Sequence, residues 1–183
     1  MRSVPTGPVL IGLALLALAL PAWAADVYQE PDAFIAGAFD GEPPSDEVLW
    51  ITGEVKAGLK RVLGDEPNSL RMRYWQRGDR TAWILERIGK HEPITTGVVV
   101  EDGAVQRIKV LIYRESRGWE VREDFFTQQF DGATLNAARD GLDRYIDGIS
   151  GATLSVRALT NIAEMALVLH GAVTGADGGD GES

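Results

Sequence analysis

Ile94-Thr95-Thr96-Gly97-Val98-Val99-Val100-Glu101-Asp102-Gly103-Ala104-Val105-Gln106-Arg107-Ile108-Lys109-Val110-Leu111-Ile112-Tyr113 is the stretch whose reading decides the fold class. Ile94 to Val100 is dominated by Val, Ile and Thr, whose branched side chains suit a pleated strand. Asp102-Gly103 supplies a tight turn, and Val105 to Tyr113 alternates Ile108, Val110 and Ile112 against Arg107, Lys109 and Leu111. An antiparallel hairpin is expected here.

Moving upstream, Leu70, Met72 and Tyr74 alternate with Arg71, Arg73 and Trp75. After Arg77-Gly78-Asp79, Trp83 and Leu85 alternate with Ala82 and Ile84. This predicts a second hairpin and a sheet of at least four strands. Arg77-Gly78-Asp79 spells an adhesion tripeptide, but a Gly-Asp hairpin turn explains it fully and it carries no function. Before the sheet, Thr52 can cap a helix over 53–63 in which Val55, Leu59, Val62 and Leu63 share one face, with Gly64 as its stop. Residues 25–51 are rich in Pro, Gly and acids around Phe34 and Phe39, and are expected to form an irregular lead-in.

Downstream, Glu115-Ser116-Arg117-Gly118 reads as a loop, and Arg122 to Phe130 as a short helix with Phe125, Phe126 and Phe130 at helical spacing. Ser150-Gly151-Ala152-Thr153 then runs into Leu154–His170, a helical pattern that buries Val156, Leu159, Ile162, Ala163, Ala166 and Leu169 and stops at Gly171. The start of such a helix turns backbone N–H groups toward any anion. The fold class is α+β, with an antiparallel sheet of two hairpins packed by an N-terminal and a C-terminal helix.

Composition narrows the chemistry. The chain has 183 residues, a net charge of −9, no cysteine and two histidines. An acidic surface argues against nucleic acid as a partner. The lack of cysteine excludes disulfides, thiolate metal sites, iron–sulfur clusters and covalent haem. His91 and His170 read as surface or helix-end residues and give a metal site little material. No catalytic residue set and no metal ligands are expected.

The first residues have the layout of an export signal: Arg2, an apolar run from Val9 to Leu20, then Ala22-Trp23-Ala24-Ala25. That run is about a dozen residues, short of the roughly 20 a spanning helix needs. Cleavage after Ala24 is expected, with a retained leader acting as a membrane anchor as the rival. The domain organisation is a signal peptide over 1–24, the lead-in over 25–51, one domain over 52–173 and a disordered acidic tail over 174–183.

Asp147, two spacers, Ser150-Gly151-Ala152-Thr153, one spacer and Ser155 resemble the flavinylation motif of the FMN-binding domain family. These covalently flavinylated domains occur in the C subunit of sodium-pumping NADH:quinone oxidoreductase and the G subunit of Rnf complexes. Glu115-Ser116-Arg117-Gly118 sits where the family commonly has Glu-Thr-Pro-Gly, and Phe126-Thr127-Gln128-Gln129-Phe130 is similar to its Phe-x-x-Gln-Phe segment. Ser116 and Arg117 depart from the pattern. The resemblance runs from about Val55 to Leu169.

By that resemblance, a separate flavin transferase uses magnesium and FAD to esterify FMN through its phosphate to Thr153. Ser150, Gly151, Ala152, Ser155, Asp147, Glu115, Gly118 and Trp119 would complete the site. A threonine hydroxyl is a weak nucleophile without a base or metal, so activation falls to the transferase. Gly151 and Ala152 put no bulk beside the hydroxyl. The ester phosphate would accept N–H bonds from Ser155 and Val156 as a capping side chain would. Trp83, Trp119, Tyr113 and Phe126 could stack on an isoalloxazine ring, with Trp119 preferred for its place beside the Glu115–Gly118 loop.

Asp147 is left with three roles: orienting the loop, capping a turn or recruiting the transferase. The implied function is an exported electron carrier. Its redox partner would be a membrane flavocytochrome, a quinone-linked complex or a periplasmic cytochrome. The alternatives are a non-covalent FMN binder or flavin reductase, and a membrane-anchored regulatory or assembly subunit of a redox complex.

Overall fold

A computed structural model describes residues 26–175. The expected leader and most of the acidic tail lie outside the described residues. Strands β1 (Asp26–Val27), β2 (Asp46–Trp50), β3 (Arg71–Arg77), β4 (Arg80–Ile88), β5 (Pro93–Glu101) and β6 (Ala104–Tyr113) form one antiparallel sheet in the order β1-β6-β5-β4-β3-β2. Both expected hairpins are present. Asp102 and Gly103 take φ of 52° and 71° at the β5–β6 turn, and Gly78 takes φ 60° at the β3–β4 turn. Positive φ at these central positions matches the right-handed twist of the flanking strands.

Helix α2 (Gly53–Leu63) has the expected bounds and ends at Gly64 with φ 74°. Thr52 occupies its N-cap position, but its side chain makes no capping bond. In place of the single helix expected over Arg122 to Phe130 there are three short pieces: 3-10 turns at Trp119–Arg122 and Gln128–Phe130 flank α3 (Asp124–Thr127). Glu123 breaks the run with an extended backbone at ψ 148°, and Val121, Phe126 and Phe130 on the separate pieces are all buried in the core.

The lead-in is not irregular. It contributes both edge strands, β1 and β2, and helix α1 (Pro31–Ala38), which has Pro31 in its first turn. The sheet is apolar on both faces and each face needs a cover. Phe34, Ile35, Ala38 and Phe39 close one face against Trp75, Ala82, Val99 and Leu111. Gly97 makes this possible, because a Cβ there would stand 2.5 Å from the Phe34 ring. The spacing of those four apolar residues after Pro31 was the available signal.

The opposite face carries the larger core, built from Trp83, Leu85, Val98 and Val110 against α2 and the last helix, α4 (Thr153–Thr174). α4 runs one turn past the expected stop to a left-handed Gly175. By length and composition it could cross a membrane, yet 67% of its apolar window is buried inside the protein. Instead of one stripe, every residue from Ile162 to Gly171 is buried. α2 approaches from a second side, where a Cβ on Gly58 would meet Val168 Cγ1 at 2.9 Å.

His170 is the clearest correction. It is 1% exposed, not at a helix-end surface. Its Nε2 accepts the Gly103 N–H at 3.2 Å and its Nδ1 lies 2.9 Å from Thr81 Oγ1. A backbone N–H can only donate, so Nδ1 carries the ring proton and donates to Thr81. Trp83 Nε1 also donates to that hydroxyl at 2.9 Å.

Candidate functional site

Ala152 is the N-cap residue of α4 and Thr153 its first helical residue. The Val156 N–H donates to the Ala152 carbonyl at 2.9 Å. This corrects the expected anion contacts: Val156 is already paired. The N–H groups of Thr153, Leu154 and Ser155, the first three of the helix, have no intrahelical acceptor and mark its positive end. Thr153 is exposed and its side chain makes no hydrogen bond within the described structure.

A cavity of about 420 Å³ opens beside it, lined by Lys90, His91, Glu115, Ser116, Arg117 and Gly151 to Ser155. Three positively polarised or cationic groups, Lys90, Arg117 and the helix start, therefore converge on one opening in an acidic protein. Ser116, Arg117, Lys90 and His91 were not among the expected site residues. The signal for Lys90 and His91 was present in the turn that links β4 to β5, but that turn meets the motif only in three dimensions.

Glu115 has a structural job. Its Oε1 accepts backbone N–H bonds from Lys90, from His91 at 2.6 Å and from Glu92 at 3.1 Å. Burial pushes its carboxyl up, but the three donors outweigh burial and hold it below the ordinary carboxylate range. The carboxylate thus fixes the turn that presents Lys90 and His91. Gly89 suits this point, since a Cβ would crowd Glu115 Oε1 at 3.0 Å and Ile94 Cδ1 at 3.1 Å.

Ser155 points inward. It is 4% exposed, and its hydroxyl lies 3.1 Å from the Tyr113 hydroxyl. Tyr113 donates its single proton to the Arg117 carbonyl at 2.6 Å, so Ser155 is the donor to Tyr113. Burial raises the Tyr113 pKa, opposed by the Ser155 bond. Gly118, at φ 80°, lies behind the cavity, where a Cβ would meet Ala152 Cβ at 3.0 Å. Ser155, Tyr113 and Gly118 therefore lock the start of α4 onto the Glu115–Gly118 loop.

Asp147, Ser150, Gly118 and Trp119 lie outside the cavity lining, as do the stacking candidates Trp83, Tyr113 and Phe126. Asp147 and Ser150 are exposed on the approach to Thr153. The Asp147 backbone N–H donates to Gln129 Oε1 at 2.7 Å, a contact the sequence reading missed. Trp119 is half exposed, with the Arg122 guanidinium 5.0 Å from its ring and 4.0 Å from the Tyr28 ring. Trp83, Tyr113 and Phe126 are buried, at 0%, 2% and 0% exposure, and present no face to a ligand at the surface.

Residues 89–168 match the family model described as FMN-binding domain. Over that span the chain is similar to an FMN-binding domain. The match begins at the β4–β5 turn and ends within α4, so it takes in all residues of the cavity. No curated protein and no solved structure matches the chain. The residues present fit this cofactor: the cavity lies in the size range of small-molecule sites, and its cations and free N–H groups suit a phosphate.

Proposed function

We propose that this FMN-binding domain carries its flavin covalently, through a phosphoester to the Thr153 hydroxyl, and serves as an exported electron carrier. The observation that carries the reading is the Thr153 hydroxyl itself. It is exposed, unbonded and placed between the cationic cavity and the positive end of a 22-residue core helix.

The attachment step balances without a redox change. The Thr153 oxygen bonds to the flavin-side phosphorus of FAD, the bond to the adenylate breaks, AMP leaves, and the hydroxyl proton goes to a base or solvent in the transferase. Lys90, Arg117 and the first N–H groups of α4 hold the resulting monoanion. Gly151 and Ala152 leave the hydroxyl open to a second protein. When bound, FMN supplies one- or two-electron transfer, and the protein supplies attachment and orientation.

Export is supported by the Arg2, apolar and Ala-x-Ala pattern of the first 25 residues. A covalent link suits that compartment, where a free flavin is lost by dilution. The partners that fit are a flavin transferase and, for electrons, a membrane flavocytochrome, a quinone-linked complex or a periplasmic cytochrome. Intact mass after co-expression with a flavin transferase tests the proposal. The expected gain is one FMN less one water, with flavin fluorescence that survives a denaturing gel. Fluorescence lost on boiling would assign the same cavity to non-covalent FMN. N-terminal sequencing decides export: a chain starting at Ala25 supports it, and one starting at Met1 in the membrane fraction replaces it with anchorage.

A further inference from the structure

Among the described residues, one hydrogen bond joins positions 147–151 to the rest of the fold: Asp147 N–H to Gln129 Oε1, at 2.7 Å. The segment's other bond is internal, from the Ala152 N–H to the Ile149 carbonyl at 3.0 Å. Asp147, Gly148, Ser150 and Gly151 are all exposed, and the two glycines leave the backbone loose. Gln129, in contrast, sits on a rigid base. Phe126 and Phe130 on either side are fully buried, with ring centroids 5.7 Å apart, and the Gly132 N–H ties the next turn to the Val105 carbonyl at 2.7 Å.

Two hydrogen bonds hold the acceptor segment to the fold, while Ile149 packs against the core between them. Ser155 on Tyr113 fixes its far end, and Gln129 fixes its near end. We propose that Gln129 is a positioning residue for flavin transfer, fixing the backbone of Asp147 so that Thr153 is presented to the transferase in one geometry. The inference rests on the reading of Thr153 as the attachment point. Gln129 acts through the backbone and touches neither the hydroxyl nor the flavin. Without it, the backbone at Asp147 and Gly148, ahead of the packed Ile149, samples more conformations, and the fraction competent for transfer falls. Stability barely changes, because the freed N–H of Asp147 is at the surface and takes a water instead.

The test compares Gln129→Leu, which removes the acceptor, with Gln129→Glu, which keeps an oxygen for the same N–H. Purified apo-protein is given FAD, magnesium and a flavin transferase, and intact mass is followed in time. Amide hydrogen exchange of the 147–153 segment is measured in the absence of FAD. For Gln129→Leu the expected result is transfer slowed roughly tenfold, as for loss of one well-formed hydrogen bond, faster exchange at Asp147 and an unchanged Tm. Gln129→Glu stays near wild type in both measurements.

Wild-type rates in Gln129→Leu overturn the role of Gln129 alone. So do equally slow Leu and Glu variants. Slow transfer with unchanged exchange assigns Gln129 to direct transferase contact and overturns the positioning role. A wild-type chain that gains no mass overturns the Thr153 reading and the role of Gln129 with it.

Discussion

The two ends of α4 are built on opposite principles. At the C-terminal end, His170 is buried and tied to Thr81 in β4 and to Gly103 in the β5–β6 turn. At the N-terminal end, Thr153 is exposed, its hydroxyl unbonded, and no side chain caps the helix. A helix whose far end is locked can leave its near end open, since the fold's cooperativity no longer depends on the missing cap. Even at the open end only the outward side chains are free, since Ala152 and Ser155 on either side of Thr153 and Leu154 are buried.

The sharpest way to break this contrast is at the open end. Thr153→Val should abolish covalent flavin entirely while leaving the Tm unchanged, read by intact mass and thermal denaturation. A retained mass gain would place the attachment elsewhere. At the locked end the pattern should invert: His170→Ala is expected to cost about 3 kcal/mol, from a cavity and an unpaired Thr81. Denaturant titration checks the loss, and flavin transfer below the melting range should be unaffected.

Midway along the helix, Glu164 is 7% exposed, and its pKa is pushed up to about 7 by burial, with the Leu142 N–H opposing and the Asp140 charge adding. The folded pKa lies above the ordinary value of 4.5. Ionising Glu164 therefore weakens the fold as pH rises from about 4.5 to about 7, and the cost is full above that window. Glu164→Gln should stabilise the protein by up to about 3 kcal/mol at pH 8 and by little at pH 5. Equal shifts at both pH values would mean that Glu164 stays paired and charged.

The smallest effect is expected on the sheet beneath the helix. Thr96 Oγ1 is buried without a hydrogen-bond partner. Thr96→Val keeps the shape and removes an unsatisfied hydroxyl, so a gain of about 1 kcal/mol is expected in the denaturation midpoint, with flavin transfer unchanged.

Much of this arrangement was legible from residue order. Period-two alternation and the Asp102-Gly103 and Gly78-Asp79 turns located four strands, and the motif located the open end of α4. The locked end was not legible. His170 at the close of a helical pattern looks the same whether it caps the helix dipole or fills a core, and the difference lies 67 residues away, at Gly103. Glu115 reads as a ligand in a loop motif, and only its three backbone donors reveal a brace. The cover provided by α1 was missed because Pro, Gly and acids outweighed four apolar residues in a short window.

The sequence by itself determined the hairpins and the core helix and singled out the Thr153 hydroxyl as the proposed attachment point, because period, turn chemistry and a contiguous motif are local properties of the chain. Tertiary structure alone decided which groups surround that hydroxyl. Lys90, Glu115 and Gln129 are brought to the Asp147–Ser155 segment from separate elements. Their contacts arise from the closing of the sheet against α4, a long-range event that no local pattern encodes.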